Sequence, residues 1–340
     1  MFSKKFNKYK VYFGLKGYIC GIIAKIDMLN RRLIRIKAFK TLFSYENSGA
    51  ENPDRALKEL LDSCEKSRDL YFFLLNVAGP LTEVARERIE TGLRKFHPTD
   101  EEANPNYKFV NNRFTALVLD DPEVGRICQK KHLVWNEYDV FIKKLFASVQ
   151  ASDYYKAYMA SSEDSFEEDC RLWQHIFEEE FEDNEMLEPL LEDLSVYWVD
   201  DVAFVLNVII RNIDETVRTH RIVKPEVFQK EDDREFAVKL LQESISGYDE
   251  YVALISANLS NWEPDRLVST DIALIVMGLA EAVTFSSIPV KVTINEYVEI
   301  SKFYSTPNSR TFVNGMLDKL VRAKVESGEI TKVGRGLEDN

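Results

Sequence analysis

Residues 289–317 read PVKVTINEYVEISKFYSTPNSRTFVNGML, followed by Asp318-Lys319. Pro289 opens a helical pattern over 290–305, Ser305 to Asn308 (STPN) is a turn, and Arg310 to Lys324 makes a final helix. Upstream, 262–282 (WEPDRLVSTDIALIVMGLAEA) offers a capping Asp or Ser and then a nearly all-apolar run that must be buried. Asp232 to Ser246 and Gly247 to Leu259 supply two more amphipathic helices. Five or six closely spaced helices at one end of a chain bury their stripes against one another with no cofactor needed. The spacing predicts an all-α fold.

The same character recurs near the other end. Residues 30–46, NRRLIRIKAFKTLFSYE, form a helix with Asn30 as its cap. Arg31, Arg32, Arg35, Lys37 and Lys40 place five cations in ten residues with no acid among them, while Leu33, Ile34, Ile36, Ala38, Phe39, Leu42 and Phe43 fill the gaps. Such a helix has a packed face and charged edges. Arginine suits phosphate because its planar fork makes bidentate contacts and stays charged. Several such contacts give a steep salt dependence. The plainer reading is a helix whose cations pair with an acidic body, and this segment alone leaves both open.

Between these ends the pattern is helical over 54–92, where Gly79-Pro80 bends or divides it, and over 122–150, 152–182 and 185–217. Residues 97–112 and 221–231 read as linkers. Segment 161–194 holds fourteen acids against the single Arg171, which reads as a solvated face, with a docking surface for a basic partner as the alternative. The tail, 326–340, is polar and expected to fray.

Composition bounds the rest. The 340 residues are 45% hydrophobic and 30% charged, an ordinary globular mixture that excludes wholesale disorder and fibres. Glycine (13) and proline (10) are sparse, which favours helices over turn-rich sandwiches. The net charge is −13, but residues 1–40 hold eleven Lys/Arg and one acid, so the remaining 300 carry −23. A basic end on an acidic body is compatible with a polyanionic partner. The scattered cysteines Cys20, Cys64, Cys128 and Cys170 read as reduced thiols of a cytoplasmic protein. Lys16 and Lys25 interrupt the apolar stretch near the N-terminus, so no membrane span is expected. Met28 is a candidate start, with 1–27 an upstream extension.

Enzymatic constellations are missing. The four histidines stand singly, outside HExxH and di-iron spacing, and there is no phosphate loop, dinucleotide fingerprint or calcium loop. The expectation is a non-enzyme with no metal and no cofactor.

The C-terminal stretch resembles the signature of the NusB family of transcription antitermination factors, P-x-K-V-x-I-N-E-x-[IVY]-E-[IL]-[AS]-K and F-V-N-G-[VM]-L-D. The matches are Pro289, Lys291, Val292, Ile294, Asn295, Glu296, Glu299 and Lys302, then Phe312, Val313, Asn314, Gly315, Leu317 and Asp318. RRLIRIKAFKTLFSYE resembles that family's arginine-rich opening, and 273–282 stands where the family has its buried central helix. The resemblance implies a NusB-like helical bundle from 28–46 and 232–325, interrupted after its first helix by a large helical acidic insertion, 47–231, without counterpart in the short members. It implies binding of boxA, a single-stranded element of nascent ribosomal RNA transcripts, together with the ribosomal protein NusE, and indirectly with RNA polymerase and other antitermination factors. Arg31, Arg32, Arg35, Lys37 and Lys40 would hold phosphates. Phe43, Tyr45 and Phe312 would stack on bases, Phe312 being as readily a core residue. Asn308, Ser309 and Arg310 would meet RNA from the turn. Each matched residue also has a packing role: Asn295-Glu296 as polar contacts at a helix start, Asn314-Gly315 as a small site where helices approach. The competing function is a protein-interaction scaffold on the same fold that binds no RNA. Methyltransferases headed by this fold need a catalytic domain for which the chain has no room after it.

Overall fold

The computed structural model describes residues 28–182, 184–228, 230–259 and 268–337, and it is all-helical, with no strand among those residues. The expected extension 1–27, Cys20 and most of 262–268 lie outside them. The helices are α1 (Arg31–Asn47), α2 (Pro53–Leu75), α3 (Ala78–Leu93), α4 (Asp100–Ala103), α5 (Arg113–Asp120), α6 (Pro122–Lys131), α7 (Asp139–Ala151), α8 (Asp153–Ala160), α9 (Phe166–Glu179), α10 (Leu187–Leu194), α11 (Val202–Thr219), α12 (Glu231–Ser246), α13 (Tyr248–Ala257), α14 (Ser269–Thr284), α15 (Val290–Tyr304) and α16 (Ser309–Glu326). They fall into two compact units, one containing Leu29–Cys64 and Phe228–Asn340, the other Glu65–Val227, so the first boundary lies inside α2.

The first unit is built around α14, which packs against α1, α12, α13, α15 and α16. Its sequence dictates that position: Ala273, Leu274, Ile275, Val276, Met277, Leu279, Ala280 and Ala282 leave no polar face, and all are buried. The helix starts after Val268 with no side-chain cap, so neither Ser269 nor Asp271 serves as one. Gly278 is the close-approach glycine. A Cβ there would meet Leu317 Cδ2 at 2.6 Å and Tyr297 Cδ2 at 3.3 Å. The expectation that Asn314-Gly315 marks such a crossing is overturned: both residues are exposed, and nothing lies within 4 Å of a Cβ at Gly315. Residues 330–333, within the tail expected to fray, are instead anchored. Ile330 is buried, the Lys332 ammonium donates to the Ala282 and Phe285 carbonyls at 2.8 and 3.0 Å, and Val333 N–H donates to Ser286 O. These contacts satisfy carbonyls that the end of α14 leaves open.

In the second unit the expected long helices are broken more often than periodicity indicates. The 54–92 stretch divides at Asn76-Val77, three residues before Gly79-Pro80. Pro80 then lies in the first turn of α3, where its missing N–H costs no hydrogen bond. The 122–150 stretch breaks after α6, where His132 takes a left-handed conformation (φ 55°). Stacked aromatics fill the core: Trp135 lies 4.1 Å from Phe73 and 5.5 Å from Phe141, and its indole N–H donates to Phe73 O at 2.8 Å. The acidic run is not wholly solvated. Glu168 and Asp169 are buried and meet Lys108 (2.8 Å) and Arg113 (2.6 Å). Cys64, Cys128 and Cys170 are buried thiols, and burial pushes Cys128 up to about 11.

Candidate nucleic-acid interface

Asn30 sets the geometry of α1: its side chain accepts the Leu33 N–H at 2.8 Å and fixes the first turn. Arg31 and Arg32 therefore sit at the helix N-terminus, and no acid shares that turn. The positive end of the helix repels cations and attracts anions, so this end favours a negative partner. Within the protein, three carboxylates from three other helices meet the three arginines.

Arg35 is the deepest. Its Nε and Nη2 donate to the Glu281 carboxylate of α14 at 2.7 and 2.8 Å, and the two side chains are 4% and 0% exposed. Thr293 Oγ1 and Tyr297 Oη, both on α15, donate to the same carboxylate at 2.8 and 3.0 Å. Each Glu281 oxygen thus accepts two bonds, which is what a buried charge requires. Burial alone would depress the Arg35 guanidinium, but the charge and hydrogen bonds of Glu281 outweigh it and hold Arg35 above its ordinary value.

Arg32 lies one turn earlier and nearer the surface. Its Nε and Nη2 donate to Glu296 of α15 at 2.9 and 2.7 Å, leaving the guanidinium side chain 41% exposed. Arg35 Nη1 stands 3.6 Å from the same carboxylate. Burial raises Glu296, but the hydrogen bond from Arg32 and the charge of Arg35 bring it below its usual value. Arg31 reaches Asp233 in the first turn of α12 through one contact of 3.0 Å and is 42% exposed. The Phe236 ring underlies both outer ends of the row, with Arg31 and Arg35 at 5.0 and 5.2 Å from its centroid.

Farther along α1 the side chains spread. Lys40 is half-buried, with its ammonium 5.4 Å from the Tyr304 ring, and Phe39 lies 5.7 Å from that ring. With Arg32 against Glu296 and Lys40 against Tyr304, α15 runs alongside α1 in the same direction. Arg32 and Lys40 are eight positions apart, roughly 12 Å along the helix. Phe43 is half-buried beside Phe39, and the Tyr45 hydroxyl donates to Ala50 O at 2.7 Å. Asn308, which ends the turn after α15, and Arg310, placed in the first turn of α16 and not in the turn before it, are exposed.

Four expected contact residues are not on the surface. Arg35, Lys37, Ser309 and Phe312 are all buried. Arg35 is consumed by Glu281, and Phe312 packs inward as part of the apolar stripe of α16. Ser309 belongs to a hydroxyl cluster around Asp271: its Oγ donates to Asp271 Oδ2 at 2.7 Å, Ser305 Oγ donates to Oδ1, and Thr270 bonds Ser305 at 2.8 Å. Burial raises Asp271, and the serine hydroxyls oppose that shift. This cluster ties the start of α14 to the α15–α16 junction that displays Asn308 and Arg310.

The counter-charges are what the sequence pattern does not reveal. Glu281 carries a legible signal, since a carboxylate inside an otherwise apolar helix demands a buried cation. Glu296, expected at a helix start, is instead the seventh residue of α15, and its partner is Arg32.

A helical bundle with a central apolar helix and an arginine-opened first helix defines an all-α protein with a polyanion-compatible edge. Among the described residues no group of three His, Cys, Asp or Glu is placed to hold a metal, and no helix is long and apolar enough to cross a membrane. Residues 209–322 match the NusB family. The chain is 36% identical over 118 residues to the transcription antitermination protein NusB of Salinibacter ruber, covering 35% of this chain and 74% of that protein. It is 36% identical over 106 residues to the NusB protein of Chloroherpeton thalassium (31% of this chain, 50% of that one), and 35% identical over 92 residues to that of Finegoldia magna (27% and 67%). No solved structure matches. The chain belongs to the NusB family. The matched range omits α1, which joins the bundle by packing on α12 and α14.

Proposed function

We propose that this chain is a non-enzymatic, cytoplasmic RNA-binding antitermination factor that engages boxA of nascent ribosomal RNA transcripts together with the ribosomal protein NusE, and through them RNA polymerase and other antitermination factors. The observation that carries this reading is the first turn of α1, where Arg31 and Arg32 stand at a helix N-terminus with about two-fifths of each side chain in solvent. Lys40, Phe43 and Tyr45 continue the edge, and Asn308 and Arg310 extend it from the α15–α16 junction. Arg35 supports the edge from beneath. On this reading residues 47–231 are an insertion after the first helix of the bundle, and their net acidity disfavours contact with RNA. Catalysis has no part in it: the protein raises the local concentration of its partners on the transcript.

The test is binding of the full chain, with NusE, to a boxA RNA and a scrambled RNA over a salt series. Replacing Arg31 and Arg32 with Ala weakens binding and flattens the logarithmic salt slope by about 1.4, since each phosphate neutralised on a single strand accounts for about 0.7. Unchanged affinity in that variant refutes the reading and favours the protein-only scaffold.

A further inference from the structure

Each arginine of the R-R-x-x-R opening has a carboxylate of its own, but the three pairs differ in kind. Arg35–Glu281 is sealed and fully bonded. Arg31–Asp233 and Arg32–Glu296 are asymmetric: each arginine is more than 40% exposed, while the carboxylates are 14% and 17% exposed. The carboxylates are thus held by the fold and the guanidinium groups are half in water. Glu296 occupies only the Nε–Nη2 edge of Arg32. Asp233 takes only Nε of Arg31. A guanidinium carries five donors in a planar fork, so both arginines keep a further edge for an incoming oxyanion. Both acids stand within hydrogen-bonding distance of the groups that RNA phosphates would take. Their charge screens those groups from any polyanion.

We infer that Asp233 and Glu296 set the strength of RNA binding, acting as built-in competitors that neutralise Arg31 and Arg32 and lower the sequence-independent part of the affinity. The inference rests on the RNA-binding reading above. Arginines without counter-charges at a helix N-terminus would attract any transcript. Paired ones yield little attraction until a strand is aligned closely enough to engage the open edges, so contacts to bases weigh more in the choice of RNA. Glu281 plays no such part, because its partner does not reach solvent.

The experiment compares the full chain with Asp233→Asn, Glu296→Gln, the double variant and Arg32→Ala, on boxA and scrambled RNA at several salt concentrations, with melting curves to verify folding. Asp233 forms a single contact at the rim, so its variant keeps the test available if Glu296→Gln destabilises the bundle. A unit charge removed about 7 Å from a phosphate across solvent changes affinity about threefold. Scrambled RNA is expected to bind about threefold more tightly to each single variant and about tenfold more tightly to the double, with a steeper salt slope. Arg32→Ala is expected to weaken binding. If Arg32→Ala weakens binding but the folded carboxylate variants bind scrambled RNA no better than the native chain, the inference fails while the RNA-binding reading stands. If Arg32→Ala changes nothing, both fail.

Discussion

Replacing Arg35 with Ala tests whether this residue is a foundation of the bundle or a contact for RNA. The substitution removes both bonds to Glu281 and the neighbouring charge 3.6 Å from Glu296, and it leaves a fully buried carboxylate with only the Thr293 and Tyr297 hydroxyls. Breaking a buried pair from one side costs about 3–5 kcal/mol, because the stranded charge keeps its desolvation penalty. Against a domain stability of about 5–15 kcal/mol, that is a large fraction. With a urea dependence of about 2 kcal/mol/M, the midpoint falls by roughly 2 M. The assay is urea unfolding of the full chain followed by far-ultraviolet circular dichroism. Glu281→Leu combined with Arg35→Met, Thr293→Val and Tyr297→Phe replaces the pair and its two hydroxyl donors by apolar groups of similar volume and is expected to cost much less than Arg35→Ala alone. An Arg35→Ala variant that loses under about 1 kcal/mol would show that the charge is not sealed in and would restore Arg35 as a candidate RNA contact.

The two glycines of the C-terminal helices should behave oppositely. Gly278→Ala forces a methyl group against Leu317 and Tyr297 and costs about 1–2 kcal/mol, the overpacking penalty less the gain in helix propensity. Gly315→Ala enters open space on α16 and stabilises by about 0.5–1 kcal/mol, read by the same unfolding curves. Asp271 and Glu296 give opposite pH signatures. Glu296 is depressed in the folded chain, so its stabilisation is complete above the ordinary value of 4.5 and is lost as pH falls through the folded value. Asp271 is raised, so the folded chain loses stability as pH climbs from 3.8 through the folded value, a loss that Asp271→Asn abolishes in stability measured from pH 3 to 8. Deleting residues 329–340 removes buried Ile330 and the Lys332 bonds to the end of α14, and lowers stability by about 2 kcal/mol in urea unfolding.

Much of the bundle was legible because its signals are local. Asn30 before an amphipathic run, Pro289 before another and the STPN turn fix helix ends within a residue or two, and the apolar content of 273–282 demands burial wherever it sits. The middle of the chain was less legible. The chain breaks at Asn76-Val77 and again at a left-handed His132, and periodicity reports neither. The interface was half legible. Five cations in ten residues marked α1, but helical spacing cannot say which of them faces a buried carboxylate: Glu281 lies 246 positions from Arg35 and Glu296 lies 264 positions from Arg32. Gly315 misled for a related reason, since a small residue in a helix signals close packing only if a neighbour passes over it, and here the neighbour passes over Gly278.

Ultraviolet cross-linking of the full chain to boxA RNA in the presence of NusE, with the linked peptides identified by mass spectrometry, puts the account to its most direct trial. Linked peptides are expected from the exposed edge of α1 between Arg31 and Tyr45 and from the α15–α16 junction bearing Asn308 and Arg310. Cross-links found only within residues 65–227 would contradict it.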